Sequence, residues 1–162
     1  MANDYKMTHR DAYIFGWVYG RISDEIQDRH DTALAQMRPY SANATIINKA
    51  RQMHKMRGDL EQDVMEALNL INAIEDPQGG TESVKPLPIQ GSWQFGWLAG
   101  QCGQPIRADY AFNIPGRRRE KDMTQQQLAD ALGVTQELVS QWESGELTPN
   151  EEDMQELRKV LG

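Results

Sequence analysis

Two short segments that lie 80 residues apart carry the same arrangement of aromatic residues and glycines. They are AYIFGWVYG at Ala12–Gly20 and SWQFGWLAG at Ser92–Gly100, and both contain Phe-Gly-Trp. In each segment small residues recur every four positions, so on a helix they share one face. Because glycine inside a helix costs about 1 kcal/mol relative to alanine, we expect another helix backbone to pass close to each row. The pattern predicts two helices packed as a pseudo-symmetric pair, and the open alternative is an exposed aromatic platform for a ligand or for bases.

Apolar residues recur at intervals of three or four along most of the chain, and no segment alternates as a β-strand does. Helices are predicted from about His9 to Gln27, from about Asp31 to Met37 before Pro39, and over roughly 30 residues that follow a cap at Ser41 or Asn43, as one helix or as two joined at Gly58. The second Phe-Gly-Trp helix is predicted from Ser92 to about Cys102. The fold class is therefore all-α.

Prolines and glycines interrupt this helical pattern and indicate how the chain is divided. Residues 77–91 are predicted to form a linker inside an N-terminal helical domain, which spans residues 1–106 and contains both Phe-Gly-Trp helices. A C-terminal domain is predicted at residues 107–162. The N-terminal domain resembles no family that its residues identify.

The overall charge limits the classes of partner. The net charge is -7, which argues against a broad, non-specific coat for nucleic acid or membrane. The single cysteine, Cys102, excludes an internal disulfide, and its thiol suits a reducing compartment. The first residues are polar, and no apolar run approaches the ~18 residues needed to span a bilayer. We therefore expect a soluble, cytoplasmic protein that does not bind membranes.

The residue combinations of catalytic and metal sites are missing from the sequence. His9, His30 and His54 lie far apart and pair with no cysteine, so no zinc spacing appears. Cys102 has no evident catalytic partner, and the chain has neither a glycine-rich phosphate loop after a strand nor a nucleophile elbow. We expect no enzyme activity, no metal and no organic cofactor.

The segment LADALGVTQELVSQWESGE, at Leu128–Glu146, predicts two short helices joined by a tight turn. Thr124 and Thr135 are placed to cap the helices at Gln125–Leu132 and at about Gln136–Ser144. Gly133 permits a left-handed turn between them, and Gly145 ends the second. The side chains expected to face the core are those of Leu128, Ala129, Leu132, Val134, Val139, Trp142, Met154, Leu157 and Leu161. A further short helix is predicted to begin after a cap at Asn113.

From Ile114 to Gly162 the chain resembles the DNA-binding domain of the XRE family, the fold of Cro and C1-type phage repressors. The order of residues in REKDMTQQQLADALGVTQELVSQWESGELTPNEEDMQELRKVLG carries the resemblance, which covers under a third of the chain. It implies a lambda-repressor-like domain of a sequence-specific transcriptional repressor of the phage or mobile-element type. Repressors of this shape bind an inverted repeat in double-stranded DNA as homodimers, with two recognition helices one DNA turn apart.

The resemblance also implies which residues contact DNA. Gln136 would bind adenine, Glu137 would accept from a cytosine amino group, and an outward-facing Leu138 would meet a thymine methyl group. Gln125 and the first amides of its helix would hold a phosphate. The complete set expected at the DNA consists of Gln125, Thr135, Gln136, Glu137, Leu138, Ser140 and Gln141, together with the cations Arg117, Arg118, Arg119 and Lys121.

Positive charge is scarce in this region, which leaves a second function open. No lysine or arginine occurs from Asp122 to Leu157, and six cations face ten anions from Arg117 onward. The family often has a basic residue where this chain has Glu146. The alternative is that the helix-turn-helix binds protein, or regulates its own promoter while the N-terminal domain inhibits a host protein, as some anti-CRISPR proteins do.

The densest basic patch lies in the N-terminal domain, in NKARQMHKMR. Its cations are Lys49, Arg51, Lys55 and Arg57. Such a run is typical of a solvated helix face, and the functional alternative is a contact for nucleic acid or for an acidic host protein. The N-terminal domain would then either dimerise a repressor or bind a host partner.

Overall fold

The structure is a computed structural model that describes residues 7–23, 26, 28–52, 58–71 and 83–162. Across these residues every regular element is a helix, which confirms the predicted all-α class. The chain divides into two compact units, residues 1–106 and 107–162. That these two units are separate domains stays a prediction. Over the same described ranges, no helix has the length and apolar character needed to cross a membrane.

Five helices are described in the N-terminal unit: α1 (His9–Ile22), α2 (Arg29–Met37), α3 (Pro39–Gln52), α4 (Gly58–Asn69) and α5 (Leu87–Gln101). The hydroxyl of Thr8 accepts a hydrogen bond from the Asp11 backbone N–H at 3.1 Å, so the predicted cap of α1 is present. The prediction that α1 continues to Gln27 is wrong. The Ser23 hydroxyl donates to the Gly20 carbonyl at 2.8 Å and ends the helix there. Gln27 itself lies outside the described residues.

The middle of this unit differs from the prediction at its helix ends. Pro39 stops α2 as expected, but it also opens α3, so the predicted cap at Ser41 or Asn43 is wrong. A proline suits the first helical position because its fixed φ is already helical and its missing N–H has no partner there. Residues 39–52 and 58–69 are helical, and residues 53–57 between them lie outside the described residues, so the choice between one helix and two joined at Gly58 stays a prediction.

The start of α5 also corrects the sequence analysis. The helix begins at Leu87, five residues before the predicted Ser92, and Pro88 occupies its first turn. Residues 87–91 are therefore helical, and the linker predicted at 77–91 is too long at its C-terminal end. Prolines in a first helical turn cost no hydrogen bond, which is why a proline-rich stretch was mistaken for a linker.

Helices α1 and α5 approach each other closely at Gly16 and Gly96. A Cβ atom added to Gly16 would overlap the carbonyl oxygen of Trp93 and lie 2.7 Å from its carbonyl carbon. A Cβ atom added to Gly96 would meet the carbonyl of Tyr13 in the same way, again 2.7 Å from the carbonyl carbon. The predicted contact between the two Phe-Gly-Trp helices is confirmed.

The contact repeats one helical turn further along. Gly20 faces the backbone of Trp97, and Gly100 faces the backbone of Trp17. The contacts advance in the same direction on both helices, so α1 and α5 run parallel and exchange equivalent contacts. Backbones can come this close only where the side chain is absent, as in other helix pairs with glycine at every fourth position.

Three aromatic side chains beside the crossing, those of Trp17, Tyr19 and Trp93, belong to the core. Trp93 is buried, and its ring centroid lies 5.5 Å from that of Tyr19. Trp17 is also buried, and its indole N–H donates to the Gln104 carbonyl at 2.8 Å. The Tyr19 hydroxyl lies 2.9 Å from the Thr32 hydroxyl, and burial raises the pKa of Tyr19. These rings stabilise the N-terminal unit and do not form a platform for bases.

The C-terminal unit contains α6 (Ala108–Phe112), α7 (Ile114–Glu120), α8 (Gln125–Leu132), α9 (Gln136–Ser144) and α10 (Glu151–Leu161). Its core consists of Ile114, Leu128, Ala129, Val139, Trp142, Met154, Leu157 and Leu161. Every predicted core residue takes part, although Leu132 and Val134 are only half-buried at its edge. The short helix α6 was not predicted.

The predicted caps set the bounds of α7, α8 and α9. The Asn113 side chain accepts from the Gly116 N–H at 3.2 Å at the start of α7. Thr124 caps α8 in a reciprocal capping box with Gln127, and Thr135 caps α9. Gly133 ends α8 at a φ of 70° and lets the chain turn into the next helix.

Candidate nucleic-acid interface

Helix α9 presents a polar stripe on the side that faces away from the core. Val139 and Trp142 are buried against the core, whereas Gln136, Glu137 and Ser140 are exposed. Gln141, one turn beyond Glu137, is half-buried and also carries a polar side chain. The stripe formed by Gln136, Glu137, Ser140 and Gln141 is called the polar stripe of α9 below. It offers amide, carboxylate and hydroxyl groups, all of which can bond to base edges.

Two residues predicted beside the polar stripe have other surroundings. Leu138 was expected to face outward, but it is half-buried and packs against the core, so the prediction of a fully outward side chain is wrong. An apolar side chain at the edge of a small core gains stability by covering it. The Thr135 side chain is exposed, and its hydroxyl accepts from the Leu138 backbone N–H at 3.2 Å.

Glu143, a residue the sequence analysis did not single out, lies at the centre of a buried polar network. The Arg118 guanidinium donates to both of its carboxylate oxygens, at 2.6 and 3.1 Å. The same guanidinium donates to the Met123 carbonyl at 2.7 Å, and the Gln125 amide donates to Glu143 at 2.9 Å. The network therefore ties α7 and the start of α8 to the end of α9.

This network changes the roles expected for two predicted DNA contacts. Arg118 was expected to reach a phosphate, but its side chain is 12% exposed and is bonded to Glu143 and Met123. The side-chain amide of Gln125, expected at a phosphate, is also bonded to Glu143. These bonds would have to break before either side chain could reach DNA. In the structure, Arg118 and Gln125 therefore hold α9 in place through Glu143.

The other three predicted cations divide into one that is engaged and two that are exposed. Arg117 donates to the Phe112 carbonyl at 2.9 Å and to the Gly162 carbonyl, and its guanidinium lies 4.6 Å from the centroid of the Phe112 ring. Arg119 and Lys121 are exposed at the end of α7 and just after it. In the described chain, no hydrogen bond or ion pair engages their side chains.

The loop after α9 is held by a second cluster that the sequence analysis missed. Gly145 ends α9 at a φ of 80°, and the Leu147 N–H donates back to the Gln141 carbonyl at 3.2 Å. Arg107 stacks on the Tyr110 ring at 4.3 Å and donates to the Thr148 hydroxyl. No local pattern distinguishes Arg107 from other surface cations, because one partner is 41 residues away and the others lie in the short helix α6 that follows it.

The match to a known family covers α8, α9, α10 and the second half of α7. Residues 117–162 match the sequence model of a family described as helix-turn-helix. The C-terminal unit is an XRE-type helix-turn-helix domain. This type of domain belongs to DNA-binding regulators, which are generally not enzymes. The match leaves residues 1–116 uncovered, and no curated protein or solved structure matches the chain significantly.

The basic patch of the N-terminal unit is only partly described. Lys49 is exposed and bonded to Asp31 at 2.9 Å, and this hydrogen bond raises the pKa of Lys49. Arg51 lies in α3 with a side chain outside the description, and Lys55 and Arg57 lie outside the described residues altogether. A partner contact at this patch stays a prediction.

The described residues also include histidine, cysteine, aspartate and glutamate side chains, the usual ligands of metal ions. Among them, no cluster of three or more His, Cys, Asp or Glu side chains could hold a metal ion. The His9 ring nitrogen Nδ1 lies 2.7 Å from the Ser92 hydroxyl, and Cys102 is exposed.

Proposed function

We propose that the protein is a sequence-specific transcriptional repressor of the phage or mobile-element type, which binds an inverted repeat in double-stranded DNA as a homodimer in the cytoplasm. The observation that carries the proposal is the polar stripe of α9, which lies on the side of the helix opposite Val139 and Trp142. In an XRE-type domain this is the helix that enters the major groove.

The chemistry of the polar stripe suits base edges better than phosphates. The Gln136 amide carries a donor and an acceptor, which match the N7 and N6 groups of adenine, and the Glu137 carboxylate accepts from the amino group of cytosine. Ser140 and Gln141 add a hydroxyl and a second amide one turn further along. Sequence preference would then come from the polar stripe itself.

Phosphate contacts would come from few groups. Arg119 and Lys121 are exposed near the end of α7, and the backbone N–H groups at the start of α8 can face a phosphate without a formal cation. Arg118 and Gln125 act behind this surface, because they are bonded to Glu143. With so few cations, binding to unrelated DNA should be weak.

Gln136→Ala tests the role of the polar stripe. We expect it to weaken binding to the preferred site by about 1–3 kcal/mol and to relax the preference at one base position, because the amide contact is lost. Equilibrium binding to the site and to its single-base variants measures both effects. Gln155→Ala, at an exposed position of α10 outside the polar stripe, is the matched control and should bind like the parent. Equal affinities for the two variants would contradict the proposal.

A second candidate function is favoured by the acidity of the same unit. The 36-residue interval Asp122–Leu157 contains no lysine or arginine, and Glu137 is exposed at the start of α9. Such a surface would suit a basic protein partner, in which case the chain would be an inhibitor of a host protein of the anti-CRISPR kind.

Glu146→Lys separates the two functions. If the domain binds DNA, Glu146 directly follows the end of α9 and would lie near the DNA backbone. A lysine there should tighten binding to all DNA sequences alike. It should also steepen the slope of log affinity against log salt concentration by about 0.9, the value for one added phosphate contact. Glu156→Lys makes the same charge change on exposed α10 and should leave the salt slope unchanged. No effect of Glu146→Lys, or an equal effect of both, would favour the protein-binding function.

A further inference from the structure

Helix α5 has an apolar face on the side opposite its glycines. Leu87, Phe95 and Leu98 are 79%, 70% and 44% exposed, and on a helix they fall on one side together with Gly91. The glycines Gly96 and Gly100 face α1 on the other side. Single exposed apolar residues are ordinary, but three on one helical face mark a contact surface. The surface formed by Leu87, Gly91, Phe95 and Leu98 is called the outer face of α5 below.

No contact with the described residues requires a glycine at position 91. A Cβ atom added there would have no described atom within 4 Å, unlike those added to Gly16 and Gly96. Glycine weakens a helix relative to alanine, so its presence between Leu87 and Phe95 calls for another cause. It leaves a shallow notch in the outer face of α5, into which a side chain of another helix could pack.

The charge distribution indicates what packs there. The chain carries a net charge of -7, so two copies repel each other overall. Residues 86–106 contain no Asp, Glu, Lys, Arg or His, and α5 lies within this interval. A second copy that docks on the outer face of α5 therefore meets an uncharged surface with the same chemistry as its own.

We infer that the outer face of α5 is the homodimer interface, with the same face of a second copy packed against it around a twofold axis. Such an interface is self-complementary, and its apolar centre needs no opposite charges. This interface rests on the proposed function, because an inverted repeat is bound by two copies related by a twofold axis. The outer face of α5 would be the surface that joins the two copies.

Sedimentation equilibrium of the full-length protein without DNA tests the inference. The parent should be a dimer at tens of micromolar. Leu98→Glu and Phe95→Glu should each weaken the dimer at least tenfold, because each places a carboxylate in the uncharged interface. Met65→Glu is the matched control, since Met65 is 40% exposed on α4 and lies outside the outer face of α5. It should dimerise like the parent.

The inference would be overturned by a monomeric parent, by an unchanged dimer in both α5 variants, or by an equal loss of dimer in Met65→Glu. Thermal melting followed by circular dichroism accompanies each variant. A fall in melting temperature without a change in mass would mean that the chain itself covers the outer face of α5, and would also overturn it. Because sedimentation uses no DNA, the two failures can be told apart. A monomer that binds an inverted repeat contradicts this inference and the homodimer of the proposed function but leaves DNA recognition standing, whereas a dimer that binds no DNA contradicts only the DNA recognition.

Discussion

Gly96→Ala should lower the free energy of unfolding of the N-terminal unit by about 3 kcal/mol, at the upper end of the usual cost of overpacking. The reason is that the added methyl group overlaps the carbonyl of Tyr13, a backbone atom that no side-chain rotation can move away. Urea unfolding followed by far-UV circular dichroism and tryptophan fluorescence measures the change. Trp17, Trp93 and Trp97 all lie in this unit and report its transition.

Gly91→Ala is the control for Gly96→Ala, because both glycines lie in α5. A methyl group on Gly91 meets no described atom of its own chain, so at protein concentrations low enough to keep the chain monomeric the substitution should stabilise the helix by up to about 1 kcal/mol. The two changes in the free energy of unfolding should have opposite signs. This difference separates the effect of the helix crossing from the general effect of replacing a helical glycine. If Gly96→Ala proved as stable as the parent, or the two variants shifted stability alike, α1 and α5 would not cross at these glycines.

Glu143→Ala should destabilise the C-terminal unit by about 3–5 kcal/mol. The substitution leaves the Arg118 guanidinium buried without its carboxylate, and an unpaired buried charge costs far more than the pair contributes. Glu143 and Arg118 are 8% and 12% exposed, so water does little to replace the lost bonds. Thermal unfolding measures the loss, followed by the fluorescence of Trp142 in a background in which Trp17, Trp93 and Trp97 are replaced by phenylalanine, so that the signal comes from this unit alone.

Glu156→Ala provides the surface comparison for the buried pair. Glu156 forms an ion pair with Lys159 on the exposed side of α10, and exposed pairs of this kind contribute roughly 0–1 kcal/mol to stability. The double variant Arg118→Met/Glu143→Met should recover part of the loss, because it removes both charges together. If Glu143→Ala and Glu156→Ala cost the same, the network does not hold α7, α8 and α9 together as described.

The parts of the fold that the sequence predicts well depend on local signals. Thr124, Gly133, Thr135 and Gly145 each act through bonds or φ angles within a few residues, and the bounds of α8 and α9 follow from them. The α1–α5 contact is long-range, but it was predictable because the same spacing of glycines occurs twice and each glycine is costly in a helix.

The parts that could not be predicted depend on contacts distant in sequence or on the exact start of a helix. Arg118 and Arg119 are adjacent and chemically identical, yet one is buried against a carboxylate 25 residues away and the other is exposed. No local pattern separates them, so both were assigned to phosphate. Leu138 was assigned to the outer surface because a short helix leaves its angular position ambiguous. In the structure, its side chain packs against the edge of the core. Pro88 masked the start of α5 for the reason given above.

The most direct test of the account is a selection of bound fragments from a random-sequence DNA library by the full-length protein. The parent should enrich a short inverted repeat, and the double variant Gln136→Ala/Gln141→Ala should lose the preference at the same base positions in both halves of that repeat. Both side chains belong to the polar stripe of α9. A loss of preference in both halves of the repeat would therefore show that the protein recognises DNA and that it does so through this surface. Failure of the parent to enrich any sequence would contradict the claim that this helix recognises DNA.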